Sequence, residues 1–145
     1  MKFKLNKILS AFGNTTSLEP THDDNYIKDI IKSIDEEAFA VSEQNVLFAK
    51  VSELGGYYYV ITIVVGRFKI KTKNGGNLSI EGKKFNLILN SDMDEFESNH
   101  SNVSNSFITR IDFQIEKEDV SKFDKKSITS LKLSAKKQEV IFTTL

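Results

Sequence analysis

The stretch "YYYVITIVVGRFKIKTKNGG", residues 57–76, decides the fold class. From Tyr57 to Val65 every residue is aromatic or β-branched, the composition that fits a pleated strand. Apolar residues at both parities predict a central strand covered on both faces. The run from Tyr57 to Gly66 is about half the length a membrane span needs. Beyond Gly66 the pattern becomes strictly alternating: Phe68 and Ile70 share one face, while Arg67, Lys69, Lys71 and Lys73 share the other. Gly66, between the two regimes, is read as a bulge or bend where the strand leaves the two-sided core. Asn74–Gly76 is a hairpin signal, because a type I′ turn needs φ > 0 at both central residues.

Downstream the period stays at two. Leu78–Glu81 and Phe85–Asn90 flank a second turn, Glu81–Lys83. Phe107, Thr109, Ile111, Phe113 and Ile115 alternate with Ile108, Arg110, Asp112, Gln114 and Glu116, a half-buried strand. "EKEDVSKF", residues 116–123, reads as one helical turn with Val120 and Phe123 inward, and Ile128–Leu133 with Glu139–Thr144 as a closing hairpin around "SAKKQ".

Upstream, Val46–Ser52 precedes the Gly55-Gly56 turn, and before it the period is helical. Tyr26, Ile27, Ile30, Ile31 and Ile34 form one apolar stripe, with Lys28, Asp29, Lys32 and Asp35 elsewhere. Thr21 and Asp24 resemble a capping box, and Asp23 and Asp24 suit the positive end of the dipole. Leu5, Ile8, Leu9 and Phe12 make a shorter amphipathic stretch, followed by the linker-like "NTTSLEP". A helix followed by a run of strands predicts an α+β fold. The expected architecture is a helix over about residues 21–36 packed on a mainly antiparallel sheet or sandwich-like roll of about six to seven strands. Residues 1–20 are expected to form an amphipathic segment and linker, and 21–145 a single α+β domain.

Composition narrows the function classes. Twenty basic and twenty acidic residues cancel, and the chain has no cysteine. The zero net charge gives no field toward nucleic acid or an anionic membrane, and only Arg67 and Arg110 are arginines, so both partners are disfavoured. Without cysteine there is no disulfide scaffold, zinc ribbon or thiol catalysis. Lys2, Lys4 and Lys7 precede an apolar stretch, Ile8–Phe12, too short for a signal peptide, so the expected location is cytoplasmic.

Three stretches remain as candidate chemistry. "NSDMDEFESNHSNVSNSF", residues 90–107, offers Asp92, Asp94, Glu97 and His100 as hard ligands for a metal-assisted hydrolase. It fails as a calcium loop, with Glu97 where glycine must turn and Val103 where a bidentate glutamate is needed. Its Ser/Asn-rich half favours a solvated or partner-contacting loop over 91–106. Arg67, Lys69, Lys71 and Lys73 are the stronger site candidate. They suit an anionic ligand or partner, or else face the Asp92–Glu97 acids within the molecule. Tyr57–Tyr59 could stack on a ring but more simply pack their own. "GNLSIEGKK", residues 76–84, departs from a phosphate loop in spacing, in Lys84 and in the strand that follows. No catalytic signature and no cofactor motif is present. The expectation is a non-enzymatic interaction protein that contacts a protein partner through a sheet face or the 91–106 loop.

Overall fold

The computed structural model describes residues 22–103 and 105–145. The amphipathic segment and linker expected over 1–20, and the Thr21 cap, lie outside the described residues.

One helix, α1 (His22–Ser33), precedes eleven strands. They are β1 (Ala40–Val41), β2 (Asn45–Leu54), β3 (Tyr57–Gly66), β4 (Lys71–Thr72), β5 (Gly76–Gly82), β6 (Asn86–Asn90), β7 (Phe96–Glu97), β8 (Asn99–His100), β9 (Phe107–Ile115), β10 (Ile128–Ala135) and β11 (Gln138–Thr144). A 3-10 helix, Lys117–Lys122, separates β9 from β10. Nine strands form a single sheet in the order β6-β5-β10-β11-β1-β2-β3-β9-β8, and β4 pairs separately with β7. Every pairing is antiparallel.

The expectation of six to seven strands is therefore corrected, and with it the weight given to helix: the described residues are mostly antiparallel sheet with one short α-helix. The added strands, β1, β4, β7 and β8, are two residues long each. Two residues carry no period, so only the longer strands leave a mark in the sequence.

The sheet curls until its ends meet. Ser91, just beyond β6, bridges Phe113 of β9, and the Asp92 N–H donates to the Asp112 carbonyl at 2.8 Å. Inside the curl, alternate residues of all the long strands build one core. Val60 and Val64 of β3, Ile111 and Phe113 of β9, Leu78 and Ile80 of β5, Leu131 and Leu133 of β10 and Phe142 of β11 are all buried in it. The 3-10 helix closes one side, with Val120 and Phe123 against the core and the Phe123 ring stacked 4.9 Å from Phe39. This matches the reading of "EKEDVSKF".

On the outside of the curl, α1 lays Ile27 and Ile30 over Val46 and Phe48 of β2 and Val65 of β3. Each isoleucine is at most 1% exposed, worth about 1.5–3 kcal/mol of burial. The helix ends three residues short of the expected Glu36. Its coverage also stops partway along β3. Ile63 and Val65 lie beneath it, whereas Tyr57, on the same outer face, is 71% exposed. The two-sided burial expected for Tyr57–Val65 holds only for the C-terminal half.

The turns divide in the same way. Gly55 and Gly56 both have positive φ, and Leu54 faces Tyr57 across them, a two-residue hairpin. A turn joins β5 to β6 as expected, but one or two residues later than read: Glu81 still pairs with Asn86, and the Gly82 N–H donates to the Phe85 carbonyl at 2.8 Å. Asn74–Gly76 does not make a hairpin: β4 pairs with β7, β5 pairs with β6 and β10, and the NGG is a corner between different ladders. Gly66 ends β3 at φ 155°, pressed so closely on the Gln44 carbonyl that a Cβ has no room. There the Asn45 side-chain oxygen accepts the Phe68 N–H at 2.8 Å and turns the chain across the mouth of the curled sheet.

Candidate functional site

The segment that leaves Gly66 keeps its alternation. Phe68, Ile70 and Thr72 are buried, and Arg67, Lys69, Lys71 and Lys73 are exposed. Phe68 and Ile70 enter the main core, so this segment plugs one end of the curled sheet and presents its cations outward. The four cations are not equivalent. The Arg67 guanidinium lies 5.1 Å above the Tyr26 ring, and the Lys69 ammonium 5.1 Å above Phe107. Cation–π contact of this kind is worth about 0.5–1 kcal/mol at exposed sites. Both tie the stripe to its own scaffold and leave Lys71 and Lys73 facing solvent.

Over residues 91–103 the acidic segment is a strap, which corrects its reading as a plain loop. β7 pairs with β4, putting Glu97 opposite Lys71, and β8 adds to β9. Phe96 packs against the core. Serine hydroxyls lace the strap in place. Ser91 Oγ accepts the Gly76 N–H at 3.1 Å and donates to the Met93 carbonyl at 2.8 Å. Ser98 Oγ accepts the Ile70 N–H at 2.8 Å and shares a proton with Thr109 Oγ1 at 2.6 Å. The serines thus bond backbone, as their chemistry favours, some of it local and some far along the chain, where the bonds serve tertiary structure.

Its Asp92 and His100 serve separate neighbours. Asp92 accepts from Gln114 Nε2 at 2.8 Å, and the His100 ring lies 5.1 Å from that of Phe107. Among the described residues, no group of three or more histidine or carboxylate side chains is placed to hold a metal ion. The pairing of acids with the lysine stripe is met in register only. Ion pairs among the described residues join Arg110 to Asp112, Lys122 to Asp119, Lys125 to Glu37 and Lys132 to Glu139. Lys71 and Glu97 are not among them.

A second basic element, absent from the sequence reading as a site, meets the stripe. The β10–β11 turn places Lys136 and Lys137 between Ala135 and Gln138. Lys136 Nζ donates to the Lys71 carbonyl at 3.1 Å, and Gln138 Nε2 to the Lys69 carbonyl, also at 3.1 Å. The only sequence signal for this juxtaposition was the "AKKQ" turn itself, which says nothing of where the turn docks.

On the opposite flank, the outer face of β2, β3 and β9 beyond α1 carries Leu54, Tyr57, Tyr59 and Ile61. Leu54 is 73% exposed, and Tyr59 and Ile61 are half-buried. In register beside them stand Lys50, Asp112 and Gln114. Tyr57 and Tyr59 thus sit on the outer face, whereas Tyr58 packs against the core.

No protein-family model, curated protein or solved structure matches the chain. Among the described residues no helix is long and apolar enough to cross a membrane.

Proposed function

We propose that this chain is a non-enzymatic binding protein that engages a protein partner through the uncovered outer face of β2–β3–β9. The observation that carries the reading is the β2–β3 hairpin tip, where Leu54 and Tyr57 face each other with most of their surface in water. Tyr59 and Ile61 continue the strip inward along β3, toward the part that α1 already covers. Large apolar side chains scattered singly need no explanation, but a contiguous strip bounded by polar residues has the make-up of an interface centre. Tyrosine offers a large contact area at little cost in rotamer freedom, and aromatic anchors carry much of the energy where proteins meet. The strap offers no comparable apolar strip: its aromatic residue, Phe96, packs against the core, and its serines hold it to the fold.

The test is chemical crosslinking in lysate with the wild-type chain and with Leu54→Asp/Tyr57→Ser. Both residues are exposed, so the variant should melt close to wild type. The expected outcome is a discrete crosslinked protein that disappears in the variant. A crosslinking pattern unchanged by the two substitutions would remove the strip from consideration.

A further inference from the structure

We propose that the depression between the Asn74–Asn77 corner and the Lys136–Glu139 turn is a binding site for a compact phosphate-type anion. It is a polar hollow of about 660 Å³. Its walls are built from strand-borne amides and hydroxyls in register: Asn90 faces Asn77 across β6 and β5, and Asn77 faces Ser134 across β5 and β10. Asn74, Lys136, Lys137 and Gln138 complete the rim. Amide N–H and hydroxyl donors with ammonium groups are the donor set that an oxyanion selects.

Three further observations point the same way. The site lies at the end of the molecule where Lys71 and Lys73 face solvent, and no ion pair among the described residues neutralises Lys71, Lys73, Lys136 or Lys137. Glu139, the one carboxylate on the wall, is paired with Lys132 at 3.5 Å; the Asp94 carboxylate stands beside Gly75 but is not part of the lining. The turn that delivers Lys137 is also held in an unfavourable backbone state. Lys136 has φ 56° and Lys137 φ 110°, positions suited to Asn and Gly. Strain kept at a cation-bearing turn beside a donor-lined hollow is where a ligand role accounts for the residue choice. A compact ligand suits the lining, which comes from one corner, one hairpin turn and the ends of the adjoining strands, and which stays open to solvent. Free phosphate and the phosphoryl group of a small metabolite share this chemistry.

The experiment is amide NMR of the labelled full chain, titrated with inorganic phosphate, with pyrophosphate and with a sugar phosphate, each against sodium chloride at matched ionic strength. The expected result is saturable shifts of the Asn77, Asn90 and Gln138 side-chain amides and of the 136–138 backbone. Saturation by phosphate alone assigns free phosphate, and tighter saturation by the sugar phosphate assigns the metabolite. Lys137→Gly relaxes the turn and removes the charge, so it should fold at least as well as wild type and bind about tenfold more weakly. Lys137→Arg, as strained as wild type, should retain binding. Chloride reproducing the shifts, wild-type affinity in Lys137→Gly, or tighter binding of a single-stranded oligonucleotide at the same lysines would each overturn the proposal.

Discussion

Lys137 and Tyr26 show how single side chains at the edges of this sheet carry more than their neighbours. A left-handed backbone costs an ordinary residue about 1–2 kcal/mol relative to the right-handed one, and Lys137 has φ 110° with nothing in the turn to replace glycine's freedom. Lys137→Gly should therefore raise stability by about 1 kcal/mol, less the extra entropy glycine gives the unfolded chain. Denaturant melts would show a higher midpoint at unchanged slope; a lower midpoint would mean that the Lys137 side chain contributes more than its backbone costs. Tyr26 donates its hydroxyl to the Asn105 carbonyl at 2.7 Å. Burial raises its pKa above 10.0, outweighing Arg67 and a bond with Ser106, which lower it. A raised phenol pKa means that the folded state prefers the neutral ring. That contribution is fully present below the ordinary phenol pKa and is lost as pH rises through the raised value. Stability should thus fall above about pH 10 with a slope that Tyr26→Phe makes shallower. A slope identical in the two proteins would show that other groups govern the alkaline limb.

At the scale of elements, what the sequence discloses depends on length. The strands β5, β6, β9, β10 and β11 and the apolar stripe of α1 span enough residues for a period to repeat, and each was legible. The strap was not, because β7 and β8 are too short to alternate and their neighbours are polar on both sides. What holds the strap is a set of hydroxyls whose partners lie far along the chain, and no local pattern encodes Ser98 meeting Ile70 and Thr109. The lysine stripe was legible as one face of an alternating segment, with Phe68 and Ile70 opposite. That this segment leaves the sheet and plugs its end was not, since it depends on Asn45 receiving Phe68. The NGG motif misled for a related reason: turn chemistry fixes local φ but not which ladders the turn joins. The Ser98 link gives a prediction at this scale. Ser98→Ala leaves the Ile70 N–H and the fully buried Thr109 hydroxyl each short of a partner, costing about 1–3 kcal/mol. Thr109→Val removes one of the stranded groups, so the double variant should lose less than the sum of the singles. Additive losses in denaturant melts would show that the two hydroxyls stabilise the strap independently.

Across the whole molecule, the nine-stranded sheet is two groups of longer strands with thin joints. β6-β5-β10-β11 and β2-β3-β9-β8 are connected on one side by β1, two residues long, where Ala40 pairs with both Thr144 and Leu47. On the other side, among the described residues, they meet at the Ser91–Phe113 bridge with its Asp92–Asp112 hydrogen bond. So few backbone bonds at the joints cannot by themselves make the groups unfold together. The shared interior can, because Phe113 of β9 and Phe142 of β11 are both fully buried in one apolar cluster that takes residues from each side. Cooperativity in this fold therefore rests on side-chain packing across the curl more than on continuity of the ladder. Phe142→Ala, made in the β11 group, should cost about 3–5 kcal/mol, the range for deleting a buried phenylalanine. Native-state hydrogen exchange can locate that loss. If the core couples the groups, the slowest amides of β3 and of β10 should lose protection by the same amount, because both exchange only through global opening. Loss of protection confined to β10 and β11, with β3 unchanged, would mean that the thin joints divide the molecule into two separately unfolding units.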